Sequence, residues 1–161
     1  MQRNPSYFLL LCVLLVSSCQ KLSNVSEVDS RDLSYVINEI ETVVWALHTA
    51  DTSMNAEGVI DLLWPEASML IDGNRMSYEE ISDGSRQFMK GLTLFHTEWN
   101  DLQIIPVTEN AAISSFIFID SIVNNQGSIT QAQGPNTFMW IKRKDEWKII
   151  FGDADHYPRN Q

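Results

Sequence analysis

The stretch that decides the fold lies in the second half of the chain, where residues 111–123 read AAISSFIFIDSIV. Isoleucine, phenylalanine and valine dominate this stretch, and residues of these types are enriched in β-strands. Three segments of the same character surround it, separated by short stretches rich in turn residues. The predicted strands are Thr93–Ile105, Ala111–Val123, Ile129–Ile141 and Trp147–Asp155. Consecutive strands joined by short turns predict an antiparallel meander.

The residues before this meander are predicted to be mainly helical. From Leu33 to Leu47, apolar residues recur at the spacing of one helix face. The remaining predicted elements are a short helix over Ala56–Trp64 stopped by Pro65, a short strand over Ala67–Ile71, and a third helix that opens at the capping-box pattern Ser77–Glu80 and ends at Gly91. Three N-terminal helices packed on a curved, mainly antiparallel sheet belong to the α+β class.

The first residues carry the pattern of an export signal. Arg3 precedes an unbroken apolar run, Tyr7–Val16, which is too short to span a bilayer. The sequence Val16-Ser17-Ser18-Cys19 resembles a bacterial lipobox, and this resemblance implies cleavage before Cys19 and acylation of that cysteine. We therefore predict a signal peptide at 1–18, a tether at 19–28 and a domain at 29–161, anchored by lipid in the cell envelope and facing the periplasm or the exterior. Ordinary secretion and an uncleaved anchor are the alternatives.

Composition excludes several classes of partner. The chain has 161 residues and a formal charge of −10, so phosphate repulsion argues against nucleic-acid binding and the acidic body gives no help at an anionic membrane surface. Contact with a membrane is expected through the lipid anchor only. Both cysteines, Cys12 and Cys19, lie in the N-terminal segment, so the body has no cysteine for a disulfide or a thiolate metal site.

Three local patterns resemble the nuclear transport factor 2-like superfamily, and within it the SnoaL-like small proteins. They are GVIDLLWPEA at 58–67, MSYEEI at 76–81 and KDEWKII at 144–150, and the resemblance covers about residues 31–156. It implies a cone in which the sheet curls around the helices and leaves one pocket, the default ligand site. The fold hosts isomerases, cyclases, dehydratases and proteins without chemistry, so it does not name a function.

Candidate catalytic residues follow from the period-two alternation of strands. His96 is the best candidate for acid–base work because its ordinary pKa lies nearest neutrality. In the last strand, alternation groups Asp153 and Asp155 on the face of Trp147, and the resemblance implies that this face looks inward. Related chains often carry a histidine and a serine at the two aspartate positions, so this sequence departs from the pattern. The alternative for His96 is a hydrogen bond at the surface or in the core.

Aromatic residues are the candidates for the pocket wall. We expect pocket-lining roles for Trp45, Trp99, Trp147 and Phe151. The alternative is that most of the tryptophans fill the core, as large aromatic side chains usually do. No metal and no cofactor are expected, because the three histidines are far apart in the sequence and no glycine-rich phosphate loop occurs.

Two classes of function stay open from the sequence. The first is a lipid-anchored domain that binds a small apolar or amphipathic molecule. The second is a pocket enzyme of the isomerase, cyclase or dehydratase kind, using His96 with Asp153 or Asp155. Because Ile113–Val123 and Phe138–Ile141 are apolar on both faces, we also predict a homodimer through the outer face of the sheet. A structural or regulatory role through dimerisation alone is a third, weaker alternative.

Overall fold

The computed structural model of this protein describes residues 32–159. The predicted signal peptide, the predicted lipidation site Cys19 and the predicted tether lie outside the described residues. Within the described part, no helix has both the length and the apolar character needed to cross a membrane.

The described residues form helices in the regions where local patterns predict them, although the second helix is shorter than predicted. Helix α1 spans Ser34–Thr52 and buries most of the apolar stripe that the spacing predicts, although Ile37 is 37% exposed. Helix α2 spans Ala56–Ile60, and helix α3 spans Tyr78–Lys90. The capping box before α3 is present: the backbone N–H of Ser77 donates to the Glu80 carboxylate at 2.8 Å, and the Glu80 N–H donates to the Ser77 hydroxyl at 3.3 Å.

The predicted end of the second helix is wrong. Helix α2 ends at Ile60, and strand β1 spans Leu63–Ile71 with Pro65 inside it. β1 pairs in parallel with the last long strand, and its register shifts between Leu63 and Ser68. A proline has no N–H to give to a sheet, and this irregular stretch tolerates it. Long-range pairing and burial of the Leu63 side chain therefore override the local helix pattern.

The remaining strands complete one sheet. They are β2 (Asn74–Ser77), β3 (Leu92–Thr108), β4 (Ala111–Asn124), β5 (Ile129–Arg143), β6 (Glu146–Ala154) and β7 (Tyr157–Pro158). The order across the sheet is β2-β1-β6-β5-β4-β3, and β7 pairs with β5. The meander β3–β6 is antiparallel, as predicted. The described residues thus form a mixed α+β structure in which helices pack on a curved, unclosed sheet.

The core lies between α1 and the inner face of the sheet. Val36, Ile40 and Val44 of α1 are fully buried, together with Trp140 and Ile149 of the sheet. The indole N–H of Trp140 donates to the Ser114 hydroxyl at 2.8 Å, so this buried polar atom has a partner.

A bulge in β6 exchanges the two faces of that strand. Met139 of β5 pairs with Phe151, whereas the next residue, Trp140, pairs with Ile149. Ile150 is therefore an extra residue without an opposing partner. Before it, Trp147 and Ile149 face the core, and after it Gly152 is buried. One inserted residue reverses the alternation for every residue that follows.

Candidate functional site

A cavity of about 240 Å³ lies between the helices and the inner face of β3, β4 and β5. One part of its wall is apolar, and the aromatic members of that part are Phe88, Phe95, Trp99, Phe116 and Phe118. Another part is polar, and its members are Asp51, Ser85, Thr97, Asp120, Asn136 and His156. An apolar cavity with a few convergent polar groups is the usual form of a small-molecule site.

Strand register brings the polar groups of the sheet together. Thr97 of β3 pairs directly with Asp120 of β4, and Asn136 of β5 pairs with Phe116 of β4. By distance and angle, three buried oxygens of these side chains have no hydrogen-bond partner among the described residues: Thr97 Oγ1, Asp120 Oδ1 and Asn136 Oδ1. The Thr97 hydroxyl is nevertheless close enough to Asp120 to oppose part of the rise in the pKa of that carboxyl. Buried polar atoms in folded proteins almost always have a partner, so this concentration in one cavity is unusual.

The aromatic wall is closely packed. The rings of Trp99 and Phe116 stack with centroids 4.0 Å apart. The His48 ring meets the Trp99 ring edge-on at 4.9 Å, and its Nε2 lies 3.2 Å from the Thr97 carbonyl oxygen. Because a carbonyl oxygen only accepts, Nε2 is the donor in this bond. His48 of helix α1 therefore contacts β3 at Thr97 and packs against Trp99, which stabilises the part of the cavity wall that Trp99 forms.

Two carboxyl groups of the cavity have raised pKa values. Burial raises the pKa of Asp51, in the last turn of α1, from 3.8 to about 7, and the nearby Asp120 carboxylate adds to the effect. Burial also raises the pKa of Asp120, which is 8% exposed. Charges cost most in a desolvated site, and two acids that face each other disfavour joint ionisation. One proton is therefore held readily within this pair near neutral pH.

His156 reaches the cavity from the segment after β6. Its backbone N–H donates to Asp72 Oδ1 at 2.7 Å, and its ring Nδ1 lies 3.1 Å from the same oxygen. The backbone bond is the main reason that the pKa of Asp72 is lowered. The His156 ring also contacts the Phe118 ring, with centroids 4.9 Å apart. Asp72, in the turn between β1 and β2, thus holds His156 at the edge of the cavity.

Gly134 makes room for this segment. A Cβ atom at this position would lie 1.7 Å from the carbonyl oxygen of Asp155 and 3.2 Å from the Phe118 ring. Only glycine allows the backbone after β6 to pass so close to β5. The position of His156 therefore depends on a residue that has no side chain.

The structure does not bring His96, Asp153 and Asp155 together. The His96 side chain is 61% exposed and lies 3.6 Å from Glu98 on the face of β3 opposite to Thr97. Asp153 is exposed and pairs with Thr137, because the bulge at Ile150 turns it outward. Asp155 accepts a hydrogen bond from the Tyr157 hydroxyl at 3.3 Å. The predicted alternation through Asp155 is wrong, and the catalytic roles of the three stay predictions without a shared cavity.

The aromatic candidates divide between several places. Trp99 lines the cavity, and its role in binding stays a prediction. Trp147 belongs to the core instead, and its indole N–H donates to the Glu39 carboxylate at 2.7 Å. Phe151 follows the bulge and pairs with Met139 on the outer face of the sheet, and Trp45 is exposed with an edge contact to the His48 ring. The wall is therefore built mainly from β3 and β4 rather than from β6.

Asp51 and Asp120 were not predicted, although the sequence carries a signal for each. Asp120 interrupts an otherwise apolar run in FIFIDSIV, where a charge in a buried strand calls for a reason. Asp51 lies four residues after Leu47 and continues the buried stripe of α1. Neither signal shows that the two meet, because packing of α1 on the sheet does that.

No group of three or more metal-ligating side chains occurs among residues 32–159. The expectation that the protein has neither metal nor cofactor stays a prediction.

Comparison with known proteins identifies the fold. No protein-family model and no curated protein matches this sequence. A scytalone dehydratase-like protein from Novosphingobium aromaticivorans matches the structure with a TM-score of 0.71 and 10% identity, over 77% of this chain and 85% of that one. A nuclear transport factor 2-like superfamily protein from Salmonella enterica matches with a TM-score of 0.67 and 18% identity, over 80% and 94%.

An association domain has the same architecture. The association domain of CaMKII from C. elegans matches with a TM-score of 0.62 and 17% identity, over 75% of this chain and 95% of that one. These identities are too low to carry a function from one chain to another. The predicted cone-like arrangement of helices on a curved sheet is confirmed, and the described residues have the nuclear transport factor 2-like fold.

Proposed function

We propose that this domain binds a small, mostly apolar molecule in the cavity, with a polar group directed at Thr97, Asp120 and Asn136. The observation that carries this proposal is the set of three unpartnered buried oxygens behind an aromatic wall. A buried polar atom without a partner costs about 1–3 kcal/mol. A ligand that donates hydrogen bonds to these oxygens would remove that cost.

The size of the cavity restricts the ligand. Its volume of about 240 Å³ is smaller than the roughly 300–1,000 Å³ of pockets for drug-sized molecules. The aromatic rings supply apolar surface, and the polar part of the wall orients the polar group of the ligand. The proposed ligand is therefore small, with an apolar body and one polar end.

Extraction of the bound molecule tests this function. The full-length protein is purified in a mild detergent and denatured in organic solvent, and the extract is analysed by mass spectrometry. Ser85→Trp is expected to fill the cavity, because Ser85 lines it. Ser128→Trp is the matched control, because Ser128 is exposed between β4 and β5.

A molecule recovered from the wild type and from Ser128→Trp, but not from Ser85→Trp, would support the proposal. The same extract from all three proteins would show binding outside the cavity and would contradict it.

Acid–base catalysis is a second candidate function, favoured by the carboxyl pair. Asp51 has a pKa of about 7, so it exchanges a proton easily at neutral pH. The His156 ring, which contacts Asp72 through Nδ1, is a further polar group of the same wall. These groups fit a pocket enzyme of the isomerase, cyclase or dehydratase kind, with Asp51, Asp120 and His156 in the roles first assigned to His96, Asp153 and Asp155.

The extracted molecule also separates binding from catalysis. If the cavity is catalytic, Asp120→Asn and Asp51→Asn should lower turnover by about 10²–10⁴. Glu79→Gln, on the exposed side of α3, serves as the control. If folded wild-type protein leaves the extracted molecule unchanged after long incubation, the catalytic candidate is rejected and the binding function stays intact.

We propose that the domain is held at a membrane by lipid on Cys19. The support is the resemblance of Val16–Cys19 to a lipobox directly after an apolar run. Cys19→Ser should abolish labelling with a palmitate analogue and move the protein out of the membrane fraction. Cys12→Ser, inside the apolar run, is the control. Unchanged labelling of Cys19→Ser would contradict lipidation.

We also propose that two copies pair through the outer face of the sheet. Strand register aligns Ile105, Ile113, Met139 and Phe151 in one apolar row across four strands, and Ile105 is 54% exposed. Water-exposed apolar rows of this kind favour association. Ile105→Lys should convert a dimer to a monomer in sedimentation. Ile129→Lys, exposed away from this row, should not, and a monomeric wild type would contradict the proposal.

A further inference from the structure

We propose that the ligand of this cavity is a cation, a small amine or other organic ammonium compound whose charged group is held between Asp120 and Asp51. This inference rests on the proposed function and specifies the chemical class of the ligand.

The first argument is a charge imbalance in the cavity. Two carboxyl groups line it, and no lysine or arginine does. Three basic side chains of the described residues pair with acids elsewhere: Lys142 with Glu39, Arg86 with Glu57 and Arg143 with Glu66. The basic group of the described wall is His156, whose ring contacts Asp72 and whose electrostatic interaction with Asp120 lowers the pKa of that carboxyl. The described wall thus carries two acids against one histidine, and its charge balance is acidic.

The second argument is the type of the unpartnered atoms. Asn136 Oδ1 only accepts hydrogen bonds, Asp120 Oδ1 accepts them when the carboxyl is ionised, and Thr97 Oγ1 is able to accept as well. Asp120 and Thr97 are 8% and 3% exposed, so bulk water has little access to hydrogen-bond with them. A primary ammonium group carries three donors and no acceptor. A hydroxyl carries a single donor, so it satisfies fewer of these oxygens.

The third argument is the aromatic wall. The electron-rich faces of tryptophan and phenylalanine rings attract cations within about 6 Å, most strongly where water is excluded. Trp99, Phe116 and Phe118 border the same space as Asp120. Trp99 and Phe116 each use one face for their mutual stacking, so a cation would meet the remaining ring surfaces. Aromatic rings next to carboxylates form a site that stabilises an organic cation and repels an anion. A metal ion does not use this apolar wall, which is why the proposal names an organic cation.

A matched set of three probes tests the charge. They are 2-phenylethylamine, 2-phenylethanol and phenylacetate, which share a ring and differ in the charge of the polar end. Binding to the full-length protein in non-ionic detergent is measured by calorimetry, and amide chemical shifts of Thr97 and Asn136 locate it. We expect the amine to bind at least about tenfold more tightly than the alcohol, and phenylacetate to bind more weakly than both.

Variants assign the preference to the acids. Asp120→Asn should lower the affinity for the amine at least about tenfold and change that for the alcohol by less than about threefold. Asp51→Asn should act in the same direction, and it serves as the second variant if Asp120→Asn does not fold. Glu79→Gln also removes a carboxylate but lies on the exposed surface of α3, so it should change neither affinity.

The outcomes separate the two proposals. If the alcohol binds as tightly as the amine with shifts at Thr97 and Asn136, the cavity binds small molecules but the preference for a cation is wrong. If none of the probes shifts these amides, both the proposed function and this inference are overturned. If the wild type binds the amine more tightly than the alcohol but neither acid variant loses affinity for the amine, its charge is recognised elsewhere and the inference is overturned.

Discussion

The two ends of helix α1 each carry a carboxyl group, and their surroundings shift its pKa in opposite directions. Near its start, Glu39 accepts a hydrogen bond from Trp147 at 2.7 Å and one from Lys142 at 2.9 Å, and these partners lower its pKa. In its last turn, Asp51 faces Asp120, and burial raises its pKa to about 7. The first carboxyl fastens the helix to β5 and β6. The second is held in a state that opposes folding, which is typical of groups retained for function.

The largest effect should come from removing the charge of Asp51. A carboxyl whose pKa rises from 3.8 in the unfolded chain to about 7 in the folded one costs on the order of 4 kcal/mol when it ionises in the fold. The folded state binds the extra proton between these two values, so stability falls as pH rises through that window. Asp51→Asn should therefore stabilise the protein by up to about 4 kcal/mol near pH 8 and by little near pH 4.

Chemical denaturation at both pH values measures this difference. Asp153→Asn is the matched control, because Asp153 is exposed on the outer face of β6. A variant Asp51→Asn with the same pH dependence as the wild type would show that Asp51 is solvated in the native state, and the contrast between the two ends of α1 would disappear.

Breaking the other end of the helix should have the opposite sign. Glu39→Gln loses the charge that Lys142 and Trp147 stabilise, and we expect a loss of about 1 kcal/mol at neutral pH. The estimate is modest because the Glu39 side chain is 38% exposed and solvent screens it.

The pH dependence of this end follows from the lowered pKa of Glu39. Its stabilisation is present above the ordinary value of 4.5 and is lost as pH falls through the lowered folded value. Wild type and Glu39→Gln should therefore converge in stability under acid conditions. Glu41→Gln, an exposed neighbour on the same helix, is the control. A constant difference at all pH values would mean that the packing of Glu39, not its charge, matters.

A double-mutant cycle sharpens the comparison further. Lys142→Met keeps most of the aliphatic stem of Lys142 and removes its ammonium group. Combined with Glu39→Gln, it should give a coupling energy of about 0.5–1 kcal/mol, since the pair is partly buried and joined by two hydrogen bonds. Additive effects in thermal denaturation would show that Trp147 alone supports Glu39.

The smallest effect should come from an exposed ion pair. Arg86 and Glu57 lie 2.7 Å apart, but both side chains are about half exposed or more. Such pairs contribute little because solvent and salt screen them. Glu57→Gln is expected to leave the denaturation midpoint unchanged within error. A clear loss of stability would mean that the link between α2 and α3 depends on this pair more than its exposure indicates.

Local patterns predicted the elements that local chemistry controls. The apolar stripe of α1, the capping box of α3 and the meander β3–β6 depend on spacing and turn residues that the sequence displays directly. The end of α2 was not predictable in this way. Trp64 and Pro65 fit the pattern of a helix end, but pairing of the neighbouring residues with β6 places them in a strand. Non-local pairing decides such cases.

The site was less predictable than the fold for two physical reasons. Asp51 and Asp120 lie far apart in sequence, and only the packing of α1 on the sheet unites them. The reversal after Ile150 gives no signal, because an isoleucine inside a bulge looks the same in sequence as one inside a regular strand. His156 therefore reaches the cavity, while Asp153, three residues earlier, does not.

The bulge at Ile150 has a consequence for how such pockets diverge in evolution. Deleting that single codon would restore strict alternation in β6. The side chains after the deletion that now face outward would then face the helices, and those that face the helices would face outward. Phe151 and Asp153 would turn inward without any change in their own identity. The chemistry of a pocket in this fold is therefore able to change by insertion or deletion in a strand as well as by substitution. Alignments of relatives that slide by one residue here would assign every later residue to the wrong side of the sheet.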